Sequence, residues 1–299
     1  MEVATTSTMS SEAQSFDVDK TNDESRNTAV YNINGYPYRS LNETRTPSAT
    51  ISSTPICKSS SFWTSCGCLS HFSFLSKSER EVLRNMKKRA NIPFEALNPQ
   101  HEALLKQYWQ LAFPHEPMVE DISPLWKRLG FQNSNPRSDF RGGGILSLQN
   151  MLYFAEHYPE HFQKVLIDVS SPVEFPISAA LVNLTQMLVL YFKLNNTTSI
   201  NPSLGGERAN QRSLKVFARL SMDSKVDVFD ELFSLSAILL HRQWKESSLI
   251  TGNALLNFSY ALQHTKLRLS HYLETSPETM EELQMHLIRD AETLDFFIF

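Results

Sequence analysis

The chain has 299 residues, of which 41% are hydrophobic and 11% aromatic, and its formal net charge is −4. That length and apolar content suffice for one large buried core or two small ones. The charge balance supplies no concentrated basic surface, which argues against nucleic acid as a partner.

Residues 1–75 begin as a tail. About one-third of the first seventy residues are Ser or Thr, and few are apolar before Ile51, so the segment lacks the means to offset its ordering entropy. It reads as disordered. The first thirty residues are polar and acidic and show no apolar signal-peptide region. The three cysteines, Cys57, Cys66 and Cys68, are odd in number and lack framework spacing, which points to a reducing, cytoplasmic setting. Near them, Phe62, Trp63, Phe72 and Phe74 make Phe62–Leu75 a candidate peripheral membrane contact, with the cysteines as candidate acylation sites. The alternative is a tail segment that packs back on the core.

From Ser76 to the end the pattern is helical. Ser76 and Glu79 have capping-box spacing and open a helix to about Ala90. Lys87, Lys88 and Arg89 at its end suit the helix dipole and read as solvated. Asn98-Pro99 opens a second helix, with Leu104, Tyr108 and Leu111 at helical spacing beside Trp109. Ser123-Pro124 opens a short helix over Leu125–Leu129, stopped by Gly130. Ile145, Leu148, Leu152 and Ala155 share one face of the next helix, and Glu160 to about Val169 forms another. Ile177–Leu194 is the longest apolar run, but Asn183, Thr185 and Gln186 interrupt it, so it reads as a central buried helix rather than a membrane span. Asn195–Asn210 reads as a loop. Val226, Phe229, Phe233, Leu240 and Trp244 mark one long helix, and Leu255, Phe258, Leu262 and Leu269 mark another. Ser276-Pro277 opens a last helix with an acidic first turn at Glu278, Glu281 and Glu282. No segment alternates apolar and polar residues between turn signals. The expected fold is therefore all-α, a single multi-helix domain over 76–299.

Three of the chain's nine glycines, Gly142, Gly143 and Gly144, follow Arg141 directly. They match neither a P-loop, because no Lys follows, nor a dinucleotide fingerprint, because Ser147 stands at the third position. The chain is not expected to hold a nucleotide of its own. Glycine allows backbone conformations closed to other residues and lets a partner's backbone come near. An arginine on such a turn can reach outward, where its planar fork fits phosphate oxygens. The bland alternative pairs Arg141 with Asp139 and makes it a brace for the turn. His157 and His161 are four apart, but Pro159 breaks the helix between them, so no metal site is assigned. Tyr153, Phe154, Tyr158 and Phe162 read as core rather than as a ligand box.

The stretch from Leu125 to Pro159 closely resembles the signature of the ELMO domain. The family pattern runs Trp, Leu-Gly-Phe-Gln, Asp-Pro, Thr-Asp-Phe-Arg-Gly-x-Gly, then Leu-x-Leu. Here Trp126, Leu129, Gly130, Phe131, Gln132, Pro136, Asp139, Phe140, Arg141, Gly142, Gly144, Leu146 and Leu148 match it. The departures are Asn135 for Asp and Ser138 for Thr. The resemblance extends more loosely over residues 98–270. It implies an ELMOD-type, single-domain protein that activates a small GTPase of the Arf or Arf-like class. Arg141 would be the catalytic arginine finger, supplied in trans, with Asp139 orienting it or capping the next helix. Gly142, Gly143 and Gly144 would present the turn, and Gln132 is a candidate for positioning the attacking water. No cofactor is expected in the chain itself, because GTP and Mg²⁺ belong to the partner. The long members of the family generally lack that arginine and imply the rival reading, a non-catalytic scaffold that recruits a Rac/Rho-type exchange factor. Trp126, Phe131 and Phe140 are expected to hold the turn against the core.

Overall fold

Local sequence signals set most of the helix starts. The structure, a computed structural model, describes residues 74–168, 174–196, 208–251 and 254–293. All but two residues of the expected tail lie outside these segments, with Cys57, Cys66, Cys68 and most of Phe62–Leu75. Leu75 is described and is buried.

α1 (Lys77–Ala90) starts from the expected capping box. Ser76 Oγ accepts from the Glu79 amide at 3.2 Å, and Glu79 returns a carboxylate oxygen to the Ser76 amide at 2.6 Å. Such a cap contributes about 1 kcal/mol. α2 (Pro99–Ala112) begins with Pro99 at its first position and Asn98 accepting from the Gln100 amide. Its buried face is Leu105, Tyr108, Trp109 and Ala112, so the face is turned from the expected one. Leu104 and Leu111 are only half-buried. Two short 3₁₀ helices follow, Pro124–Leu129 and Pro136–Arg141. The first ends at Gly130, as expected. Its φ of +72° is left-handed, and a Cβ there would lie 2.5 Å from the Ile177 nitrogen. Only glycine lets the start of the fifth helix come this close.

α3 (Gly144–His157) and α5 (Ile177–Tyr191) are buried on most sides, so the centre of the domain holds two helices where the sequence suggested one. α4 (Pro159–Ile167) is a short helix directly after α3. α6 (Gln211–Asp223) starts from Asn210, whose side chain caps the Ser213 amide at 2.9 Å. α7 (Val228–Thr251) is the longest element, and it packs on α8 (Ala254–Glu274), α9 (Met280–Thr293), α3 and α5. α2 lies on α3, and α1 bridges α3 and α6. Val226 falls before α7 and is exposed. The last helix starts three residues later than Ser276-Pro277 suggested. Thr279 caps it by accepting from the Glu282 amide at 3.2 Å, while Ser276 takes a positive φ of 61° in the preceding turn. The described residues contain no strand, so the fold is all-α. Among them no helix is long and apolar enough to cross a membrane.

The basic end of α1 is a correction. Arg89 is not simply solvated: its guanidinium grips both carboxylate oxygens of Asp230 on α7 at 2.8 Å and one of Asp227 at 2.9 Å. Asn150 of α3 adds an amide to Asp230 at 2.7 Å, and Thr185 of α5 donates to Asn150 at 3.3 Å. This polar thread ties four helices together through the core. Nothing in α1 alone signals it. A polar Asn150 within the apolar run of α3 does, because a buried amide requires partners.

Candidate functional site

The turn that carries Arg141 is built by its neighbours in sequence. Asn135 Oδ1 accepts from the Arg137 amide at 3.2 Å and caps the second 3₁₀ helix, with Pro136 at its first position. Ser138 Oγ donates to the Asn135 carbonyl at 3.0 Å and to Asp139 Oδ1 at 3.1 Å. The two departures from the family pattern therefore keep an oxygen acceptor at 135 and a hydroxyl at 138.

A row of rings fixes the inner side of the turn. Phe140 stacks on Phe94 at 4.9 Å and meets Phe131 edge-on at 5.9 Å. Phe131 meets Trp126 at 5.8 Å, and Trp126 meets Trp109 at 5.4 Å. Each such pair adds about 0.5–1.5 kcal/mol beyond its burial. The expectation that Trp126, Phe131 and Phe140 hold the turn is met. The indole nitrogens are satisfied too, Trp126 by the Glu120 carbonyl at 3.0 Å and Trp109 by the Pro117 carbonyl at 3.1 Å.

Sequence reasoning missed Arg137. Its fork grips the Glu102 carboxylate of α2, with Nε 2.6 Å from Oε1 and a second, shorter bond to Oε2. It also donates to the Asp121 carbonyl at 2.7 Å. Chiefly through Glu102, these partners hold the guanidinium above its already high range.

Arg141 ends the same 3₁₀ helix and is exposed. Its Nε–H donates to the Ser138 carbonyl at 2.9 Å, which sets the stem of the side chain. Asp139 lies close enough for the two charges to interact. The Asp139 carboxylate accepts from the Gln132 amide at 2.9 Å and from Ser138. Burial pushes its carboxyl above the usual range, while those two donors and the Arg141 charge pull the other way. Asp139 does not cap α3, as one expectation held. The residue before α3 is Gly143, with no side-chain cap, and Asp139 instead staples the 3₁₀ helix to the strand of chain at Gln132. Gln132 is exposed, and it meets Asp139 through its backbone.

The glycines serve this chain more than a visitor. Gly144 has φ +59°, and a Cβ there would sit 2.2 Å from the Ile92 carbonyl oxygen. The same carbonyl accepts from the Ile145 amide at 3.2 Å. Gly143 is buried, with Ser147 and the Val182 carbonyl beside it. Gly142 alone is exposed, next to Arg141, with the flexible Gln186 amide as its near neighbour. The space at Gly143 and Gly144 is thus filled by the chain's own packing, and Gly142 is the glycine of the three at the exposed surface.

The remaining sequence candidates lie elsewhere. His157 stacks on Tyr153 at 3.9 Å, whereas His161 sits on α4, and no metal-ligand group forms among the described residues. Phe154 and Phe162 are core, while Tyr153 and Tyr158 both donate to Glu231.

The model of the ELMO/CED-12 family matches residues 84–260. The chain is 28% identical over 217 residues to ELMO domain-containing protein A of Dictyostelium discoideum, covering 68% of this chain and 21% of that protein. It is 27% identical over 209 residues to ELMO domain-containing protein C of the same organism, covering 69% and 32%. Against ELMO domain-containing protein 1 of Mus musculus the identity is 39% over 93 residues, 31% of this chain and 28% of the relative. The chain thus spans between a fifth and a third of the length of these relatives.

Proposed function

The chain belongs to the ELMO/CED-12 family, and on that premise we propose that it activates a small GTPase of the Arf or Arf-like class with Arg141 as an arginine finger. The observation that carries this reading is the exposure of Arg141 on a turn braced from beneath by Phe140, Arg137 and Asp139. A finger must reach out, yet its base must not move. Holding the turn rigid lowers the ordering cost when the arginine meets a partner. The Ser138 carbonyl fixes Nε and so sets the stem of the exposed side chain.

In the partner's site the guanidinium would stabilise the charge of the transferring phosphoryl group, an effect worth about 10³–10⁵ in rate. GTP and Mg²⁺ would be the partner's. Asp139 would orient Arg141 through their electrostatic contact, and Gln132 would help position the attacking water from the neighbouring exposed loop.

The test is single-turnover GTP hydrolysis by purified Arf, Arf-like and Rho-type GTPases with the full chain added. Acceleration of an Arf-class member is expected, along with its loss in Arg141→Lys while the complex still forms. Lysine keeps the charge but lacks the planar fork. Unchanged hydrolysis with binding retained in Arg141→Lys would leave the scaffold for an exchange factor as the better account.

A further inference from the structure

A cleft opens between α4 and α7, lined by none of the residues of the Arg141 turn. Basic side chains converge on it: His161 and Lys164 from α4, and His241, Arg242 and Lys245 from α7. Val165 and Ile238 complete the lining. The cavity is about 50 Å³, several times what a single water needs, so a tetrahedral oxyanion fits.

Two carboxylates balance the cleft only in part. Asp168 Oδ2 lies 3.1 Å from His241 Nε2 and 3.2 Å from Lys245 Nζ, and Glu246 pairs with Arg242 at 2.8 Å. Lys164, Arg242 and Lys245 set three fixed positive charges against these two negative ones, while burial lowers His241 to about 4 and so keeps its imidazole uncharged near neutral pH. His241 and Arg242 are nearly buried, at 7% and 6% exposure, whereas Lys164 is exposed at the mouth. Neighbouring like charges disfavour one another, and an anion seated among Lys164, Arg242 and Lys245 would relieve that repulsion.

The same two helices carry a second observation. Ile167 is 69% exposed and follows Lys164 by three residues on α4, and Leu249 is 60% exposed and follows Lys245 by four on α7. Each helix therefore sets an exposed aliphatic side chain one turn beyond its lysine, on the same face. Cations that meet phosphates beside aliphatic groups that enter the acyl boundary form the pattern of an interfacial surface.

We propose that the α4/α7 cleft binds the phosphate of an anionic lipid headgroup, with Ile167 and Leu249 seated in the membrane interface. A free phosphate would satisfy the cleft but would leave both aliphatic side chains in water. The inference does not rest on the role of Arg141.

The test is partition of the full chain onto phosphatidylcholine vesicles with and without a phosphatidylinositol bisphosphate. Binding is expected only with the phosphoinositide. Each positive charge removed should lower partition about fivefold, so Lys245→Gln loses about that much and the reversal Lys164→Glu more. Ile167→Ser and Leu249→Ser should weaken vesicle binding while leaving the binding of soluble inositol phosphate unchanged. Because Lys245 pairs with Asp168, thermal unfolding checks that variant, and Lys164→Glu and Ile167→Ser decide the matter if it fails to fold. Equal partition of Lys164→Glu and the parent would place the contact elsewhere, for instance at Phe62–Leu75, and overturn the proposal. Binding of inorganic phosphate without any vesicle binding would overturn the lipid source.

Discussion

The two faces of one 3₁₀ helix put the same residue type to opposite uses. Arg137, on the inner face, is sunk among Glu102 and Asp121, its side chain only 14% exposed. Arg141, four residues on, stands in solvent with its stem fixed by a backbone carbonyl. In sequence the two arginines sit four residues apart in one short segment, Arg137 between Pro136 and Ser138 and Arg141 between Phe140 and Gly142. Between them the rings anchor Phe140, while Arg137 is drawn to Glu102 of α2 and Arg141 stays exposed. A charge that holds the turn and a charge that leaves it are thus products of one short segment.

That contrast breaks most sharply on substitution. Arg141→Ala should cost about 10³–10⁵ in stimulated GTP hydrolysis and leave the melting temperature where it was, since an exposed side chain contributes little to stability. Arg137→Ala should do the reverse at its source. It strands the half-buried Glu102 carboxylate and should lower stability by about 3 kcal/mol. Urea unfolding reads that loss, and an unchanged midpoint would mean the turn is held by its aromatic rings alone.

The glycines sharpen the same division. Gly144→Ala places a Cβ against the Ile92 carbonyl at a left-handed φ, and a loss of about 2 kcal/mol is expected. Gly142→Ala meets only the Gln186 amide, which can swing aside, so about 0.5 kcal/mol or less is expected. Equal effects at the two positions, measured by the same unfolding curves, would restore the reading of a uniformly pliant hinge.

The sequence told helix from strand throughout, because caps such as Ser76, Asn98 and Asn210 and the apolar spacing of α5 and α7 are local signals. It placed Arg141 and the aromatic anchors through the ordered motif around them. It failed where the partner is distant in the chain. Glu102 lies 35 residues from Arg137, and Asp230 lies 141 from Arg89, so no window contains both ends of either pair. The rotated face of α2 has a related cause: Leu104 and Leu105 are equally apolar, and only packing against α3 chooses between them. The cleft between α4 and α7 was invisible for the same reason, since Lys164 and Lys245 meet only in the fold.

A third arginine carries the comparison into the core, where the expected effect is smallest in the parent. Arg89 grips Asp230, yet burial outweighs that attraction and pushes the Asp230 carboxyl up to about 6, from an ordinary value of about 3.9. The native state then holds this proton more tightly than the unfolded chain, so Asp230 stabilises below pH ~4 and loses that contribution as pH rises through about 6. His241 behaves oppositely. Burial, helped by Lys245 and Lys164, lowers it to about 4 against the pull of Asp168, from about 6.5. Its contribution is present above pH ~6.5 and is lost as pH falls through about 4. Each shift corresponds to about 3 kcal/mol at most, and the two windows overlap almost fully, so the parent should change little from these groups between pH ~4 and ~6.5. Asp230→Asn removes one arm and should make the protein lose stability steadily on acidification across that window. His241→Gln should make it gain. Urea midpoints taken at intervals of pH separate these slopes, and parallel curves for both variants and the parent would show that neither group titrates where its burial places it.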